Sequence, residues 1–220
     1  MPVTKRIVIL ANSVKHDPGR CIAGREISES GDGRLRVGDW VRPVSTEGEG
    51  ELQPAHTRVN DGKPIQVLDV LDVTLLSAGK DPSQPENWIV DASAPWRRIG
   101  RWQRQLGKLV ESPDALWLQP LPKPTDRAAR EYVEAHPPAQ SLYFLHLSEA
   151  SFHRNLWGKL RLGFDYHETH YDLAVTDPIA KDRLVREHRG HAELKQLHVC
   201  VSLAPAFKGD HYKVAATLLW

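Results

Sequence analysis

Cysteine, charge of one sign and long apolar runs are what this sequence has least of. Two cysteines, Cys21 and Cys200, in 220 residues exclude a disulfide-stapled scaffold, because at most one bridge could form. The expectation is two unbridged thiols in a reducing compartment. The longest aliphatic run near the N-terminus, "IVILA" after Lys5 and Arg6, falls far short of the roughly 20 apolar residues that cross a bilayer and is too short for a signal-peptide core. The chain is therefore expected in the cytoplasm, with no membrane as partner. Lys and Arg number 29 against 28 Asp and Glu, a net charge of +1. Bulk charge thus excludes a polyanion binder of the strongly basic kind, and any nucleic-acid role must come from local clustering. No C-x-x-C, G-x-S-x-G or paired-carboxylate arrangement occurs, so no catalytic constellation is recognisable.

What is present in quantity is short β-type runs between turn signals. "RIVILAN", "GRCIAGREI", "DWVRPVS", "IQVLDVLDVTLL", "NWIVD", "ALWLQPL", "SLYFLHL", "LRLGFDYH", "YDLAVTD", "LHVCVSL" and "YKVAATLLW" are rich in Val, Ile, Leu, Tyr and Trp and bounded by Gly, Pro, Asp and Ser. That pattern reads as an all-β barrel or sandwich. "RIVILA" is apolar on both faces and belongs in a central position. Three segments read as helix: residues 126–136 behind the N-cap candidate Thr125, residues 178–189 between Asp177 as cap and Gly190 as stop, and residues 96–110. The Pro-rich stretch "SPDALWLQPLPKPT" marks the strongest boundary, dividing the chain into domains 1–111 and 112–220.

The largest charge asymmetry lies in "WRRIGRWQRQLGK", inside a span from Ala92 to Val110 without an acidic residue. On a helix, Arg97, Arg101, Arg104 and Lys108 would share one face, with Arg98 adjacent, and Ile99, Trp102, Leu106 and Val110 the opposite one. Such a face is either simply solvated or a phosphate contact, arginine's planar fork suiting phosphate oxygens. In the opening segment "ANSVKHDPGRCIAGRE", Asn12 and Ser13 end a strand beside Lys15, Arg20 and Arg25, an arrangement that can hold a phosphate or a sugar edge. It does not match a P-loop, because no Lys follows either glycine. Cys21 is either a packing residue or, with an acidified thiol, the nucleophile of an enzyme acting on nucleotides or nucleic acid. Trp40 and Arg42 sit on alternate positions of "DWVRPVS": either they stack a base and hold a phosphate, or Trp40 plugs a barrel. "DYHETHYD" has histidines three apart rather than four, so it reads as a hairpin tip and not a zinc motif. Neither metal nor cofactor is expected.

Several phrases together, "KRIVILANSVKHDPGRCIAG", "DWVRPVS", "QPENWIVD", "YDLAVTDP" and "CVSLAPAFKGDHYKVAA", resemble the prokaryotic dual OB-containing domain family over almost the whole chain. The resemblance implies all-β architecture with a few short helices, arranged as two consecutive OB-like β-barrels. It also implies a sensor or binding module linked to nucleic acids in a prokaryotic conflict system. With the residue reading, the expectation is a non-enzymatic nucleic-acid or nucleotide-binding sensor partnered by an effector protein, or alternatively a protein-interaction adaptor whose basic 97–108 face docks an acidic partner. The family pattern carries over to Asn12, Ser13, Lys15, Arg20, Cys21 and Gly24, to Trp40, Arg42, Pro43 and Ser45, and to Tyr171, Asp172, Asp177, Cys200, Ser202 and Lys213. The closing motif departs from it at Ala204, Pro205 and Ala206. The expected interface comprises Asn12, Ser13, Lys15, Arg20, Arg25, Trp40, Arg42, Arg97, Arg98, Arg101, Arg104 and Lys213, with the cations of residues 15–25, Arg42 and the 97–108 face forming one basic groove.

Overall fold

A computed structural model describes residues 1–14, 18–31, 34–120, 124–188 and 191–220. The chain divides into two compact units, Met1–Asp81 with Pro85–Leu109, and Pro82–Gln84 with Val110–Trp220.

In the first unit, β1 (Val3–Val14), β2 (Arg20–Glu29), β3 (Leu35–Val44), β4 (Asp69–Ala78), β5 (Asn87–Val90) and β6 (Arg97–Arg101) form a sheet in the order β1-β2-β3-β5-β4-β6. The N-terminal half of β1 pairs with β4, from Val3↔Leu75 to Val8↔Val70, and its C-terminal half pairs with β2, from Ile7↔Glu26 to Val14↔Arg20. One long strand thus serves two neighbours and closes a five-stranded barrel, in which only β3 and β5 run parallel among its paired strands. This double use explains why Ile7–Ala11 are all buried. Ile7 and Ile9 join Ile22, Val41, Leu71, Val73 and Trp96 in the barrel core, while alternation turns Val8 and Leu10 outward, where they are buried as well. Gly24 is required at the closure, because a Cβ there would lie 2.2 Å from the Val8 carbonyl oxygen.

The second unit contains β7 (Arg127–Ala129), α1 (Arg130–Ala135), β8 (Leu142–Arg154), β9 (Leu160–Tyr166), β10 (Thr169–Val175), α2 (Pro178–His188), β11 (Ala192–Phe207) and β12 (Asp210–Leu219). Its order is β10-β9-β8-β11-β12-β7, closed by parallel pairing of β10 with β12 at Ala174↔Val214 and Val175↔Ala215. The ring β8-β9-β10-β12-β11 therefore repeats the connectivity of the first barrel. Between its third and fourth strands lies α2, which contributes Ala180 and Leu184 to a core of Leu145, Phe152, Leu162, Phe164, Tyr171 and Leu173. Asp177 caps α2 as expected, its Oδ1 accepting from the amides of Ile179 (2.9 Å) and Ala180 (3.1 Å).

Three sequence expectations give way. Residues 96–110 do not form a helix: they make β6, then an irregular turn and a short 3-10 segment, Leu106–Lys108. Pairing decides this, since Asp72↔Arg97 and Asp69↔Arg101 face each other across β4 and β6, and cross-strand charge pairs favour the sheet over a helix that two glycines weaken. Residues 126–136 split, because Arg127–Ala129 are drawn into pairing with Asp210–Tyr212 and the helix starts only at Arg130. "ALWLQPL" is not a strand over its described part; Leu116 enters the core and Trp117 takes a positive φ of 48°.

Candidate nucleic-acid interface

The cations of the first barrel are organised around three aspartates. Outward-facing Arg6 on β1 donates from Nε to Asp72 at 2.7 Å, and Arg97 reaches the other oxygen of that carboxylate at 2.6 Å. Arg98 is shared by Asp61 (2.8 Å) and Asp69. Arg101 bonds the Gln66 side chain at 3.1 Å and lies 3.5 Å from Asp69. Hydrogen bonding from Arg6 holds the Asp72 carboxyl below its ordinary range, so the group stays ionised through the neutral range. Four guanidiniums face three carboxylates, which leaves a local excess of positive charge in a nearly neutral chain.

Beside this cluster a cleft of about 270 Å³ opens on the first barrel. Ile27, Val70, Ile99 and Trp102 supply apolar lining, and Arg6, Arg101 and Arg104 supply cations, with Glu29 also on the wall. Trp102 is buried and its amide donates to Leu68 O at 2.8 Å, which fixes the chain as it leaves β6. Arg104 is exposed and makes no hydrogen bond or ion pair among the described residues.

The expected interface residues fall into separate groups. Arg97, Arg98 and Arg101 come together, and Arg101 and Arg104 share the cleft. Trp40 and Arg42 are not surface residues: Trp40 is 4% exposed, and Arg42 is buried in an ion pair with Glu86 at 3.0 Å. Stacking by Trp40 and phosphate contact by Arg42 are therefore not available from this strand. The loop before β5 brings Glu86 back to β3 and makes a buried cation tolerable, and sequence spacing does not show that. Arg25 donates to Gly38 O at 2.7 Å with its guanidinium 5.8 Å from the Trp40 ring. Asn12 donates to Ile65 O at 2.8 Å, Ser13 is buried, and Arg20 exchanges backbone hydrogen bonds with Leu52. Lys15 lies outside the described residues. Lys213 is 1% exposed, bonding Thr125 O at 2.8 Å, and burial lowers its amine to about 8. Arg42, expected to line the basic groove with the cations of residues 15–25 and 97–108, is buried and cannot take part in it.

The thiol of Cys21 is half-buried, and because Ile22 takes the core position, alternation turns Cys21 outward rather than inward. Cys200 is buried, and neither cysteine is in a disulfide. His167 and Glu168 form the tip of the β9–β10 hairpin, with His170 Nδ1 2.7 Å from Asp165. Among the described residues no group of three or more His, Cys, Asp or Glu is placed to hold a metal ion. Arg6, Ile27 and Val70 were missed as site residues; the outward position of Arg6 next to an inward Ile7 was the readable signal.

Two closed rings of the same five-strand connectivity, each with a parallel pair joining its third and fifth strands, are the OB arrangement met twice in one chain. The chain belongs to the dual OB-containing domain family. The family model matches residues 5–218, nearly all of the sequence, as the resemblance implied. Neither curated proteins nor solved structures gave a match. Tandem OB barrels are in general binding architectures for nucleic acids and other oligomers. No helix among the described residues is long and apolar enough to cross a membrane.

Proposed function

We propose that this dual OB-containing chain is a non-enzymatic module that binds single-stranded nucleic acid or a nucleotide through the first-barrel cleft. The observation that carries the reading is an apolar seat lined by Ile27, Val70, Ile99 and Trp102 with three arginines at its margin. An unpaired base presents an apolar face to such a seat and an anionic phosphate to its edge, and arginine's fork matches phosphate oxygens. The cleft is below the roughly 300–1,000 Å³ of pockets for drug-sized ligands, so it suits one base and not a duplex. Asp69 and Asp72 hold Arg98, Arg101, Arg97 and Arg6 in fixed positions, which reduces the ordering cost of binding. The family resemblance supports the remaining assignment: a sensor in a prokaryotic conflict system, relaying occupancy to an effector protein.

Fluorescence anisotropy with labelled single-stranded and duplex oligonucleotides at about 50 and 200 mM salt tests the reading, since each phosphate contact adds to the salt slope. Single strands are expected to bind more tightly, and Arg104→Ala is expected to lower affinity at low salt and reduce the slope by about one. Absence of binding at low salt overturns the proposal. So does an Arg101→Ala/Arg104→Ala double variant that binds as the parent does.

A further inference from the structure

The hairpin tip between β8 and β9, "RNLWGK", places its two largest apolar side chains in solvent: Leu156 is 98% and Trp157 80% exposed. The turn is built to do so. Asn155 Oδ1 accepts from the amides of Trp157 (3.1 Å) and Lys159 (2.9 Å), Gly158 takes a φ of +70°, and the Arg154 guanidinium closes the loop on Gly158 O at 2.9 Å. A polar clamp therefore holds a tryptophan largely in solvent although the barrel core, Phe152 and Leu162 included, begins a few residues away on each strand. The surroundings are cationic. Exposed Arg154 and Lys159 flank the tip, and Lys159 is close enough to Lys181 on α2 to add to the lowering of that amine, which burial mainly causes. Lys159 makes no ion pair among the described residues. Rigid aromatic surface flanked by the exposed cations Arg154 and Lys159 matches a ligand that is flat and apolar in one part and anionic in the next, which is the repeating character of an unpaired nucleic-acid strand.

We infer that Trp157 is a base-stacking platform on the second barrel, a second contact for a single strand, with Arg154, Lys159 and Lys181 holding its phosphates. This rests on the chain being a nucleic-acid binder but not on the first-barrel cleft.

An abasic strand keeps every phosphate and removes the stacking partner, so it separates stacking from charge. Anisotropy titrations of the full chain with a labelled oligothymidylate and an abasic backbone of equal length should show the base-bearing strand bound more tightly. Trp157→Ala should weaken oligothymidylate binding by about 5- to 150-fold, the range of one base stacked on an aromatic ring, and leave abasic binding unchanged. Trp157→Phe should keep most of the preference. Lys159→Ala should weaken both strands by a similar factor. Unchanged discrimination in Trp157→Ala sinks this inference and leaves the cleft standing if Arg104→Ala still weakens binding. A parent chain that binds neither strand sinks both.

Discussion

Among the described residues each barrel buries one long cation on the strands joined in parallel, and the two solve its desolvation differently. In the first, Arg42 on β3 meets Glu86 at 3.0 Å, both nearly inaccessible. In the second, Lys213 on β12 has the Thr125 carbonyl at 2.8 Å and the Tyr171 ring at 5.4 Å, with the charge of Asp126 only partly offsetting burial. Arg42 is held as half of an ion pair, whereas Lys213 is held as an amine driven toward neutrality. The ring connectivity is common to both, so the contrast isolates what a partner carboxylate does inside an OB barrel. It also separates two surface strategies: the first barrel ties Arg6, Arg97, Arg98 and Arg101 to aspartates, and the second presents an aromatic tip flanked by Arg154 and Lys159.

The sharpest break of this comparison is the methionine variant of each cation. Arg42→Met strands Glu86 in the interior and is expected to cost about 3–5 kcal/mol, seen as an early unfolding transition of the first unit in denaturant. Lys213→Met should move the other way, with a gain of up to about 3 kcal/mol at pH 7. The sign follows from linkage. The amine titrates near 8 when folded against 10.5 in the open chain, so between those values the unfolded chain binds more protons and stability rises with pH. Below about pH 8 the burial cost is fully present, and by 10.5 it has been relieved. The advantage of Lys213→Met over the parent should therefore shrink between pH 8 and 10.5; a constant difference across that window, measured by urea denaturation, contradicts this account.

A smaller contrast concerns the second strand of each barrel. Gly24 on β2 and Gly163 on β9 both leave no room for a methyl group, but against different atoms. At Gly24 the obstacle is the Val8 backbone at 2.2 Å, and at Gly163 it is the Ser151 hydroxyl at 2.7 Å. A backbone cannot step aside and a hydroxyl rotor can. Gly24→Ala should therefore cost about 3 kcal/mol or more, and Gly163→Ala about 1. Comparable losses in thermal unfolding of the two variants would show that strand closure, rather than the obstructing atom, sets the cost.

Legibility followed the range of the interactions involved. The long strands were readable because Ile7–Ala11, apolar on both faces, has few other places to go, and the Asp177–Pro178 start of α2 was readable because a cap is local. Residues 97–101 were not, since their spacing satisfies a helix equally well and only Asp69 and Asp72, distant in sequence, decide for a strand. Trp40 and Arg42 failed as surface residues for a similar reason: Glu86 arrives from another loop. At the cleft, Arg101 and Arg104 were found by charge, whereas Arg6 and Val70 belong to strands whose outer faces exist only after β6 docks. Trp157 escaped notice because the exposure of a hairpin tip depends on both strands being placed first.

The smallest expected effect sits between the third and fourth strands. There the second barrel has α2, while the first has a short 3-10 segment, Pro54–Thr57, in which His56 Nδ1 accepts from the Gln53 amide at 3.1 Å. Asp177 satisfies the amides of Ile179 and Ala180 and also accepts from Leu218 N at 3.0 Å, tying the start of α2 to β12. Asp177→Ala removes all three hydrogen bonds and should cost about 1–2 kcal/mol. Asp177→Asn keeps an oxygen for the cap and should cost less. His56→Ala loses one bond to a single turn and is expected near 1 kcal/mol, with its effect confined to the first unit. Hydrogen exchange read by mass spectrometry distinguishes these outcomes, because Asp177→Ala should speed exchange in the first turn of α2 and the end of β12 together. Faster exchange in α2 alone would show that the Leu218 bond contributes nothing to holding the helix on its barrel.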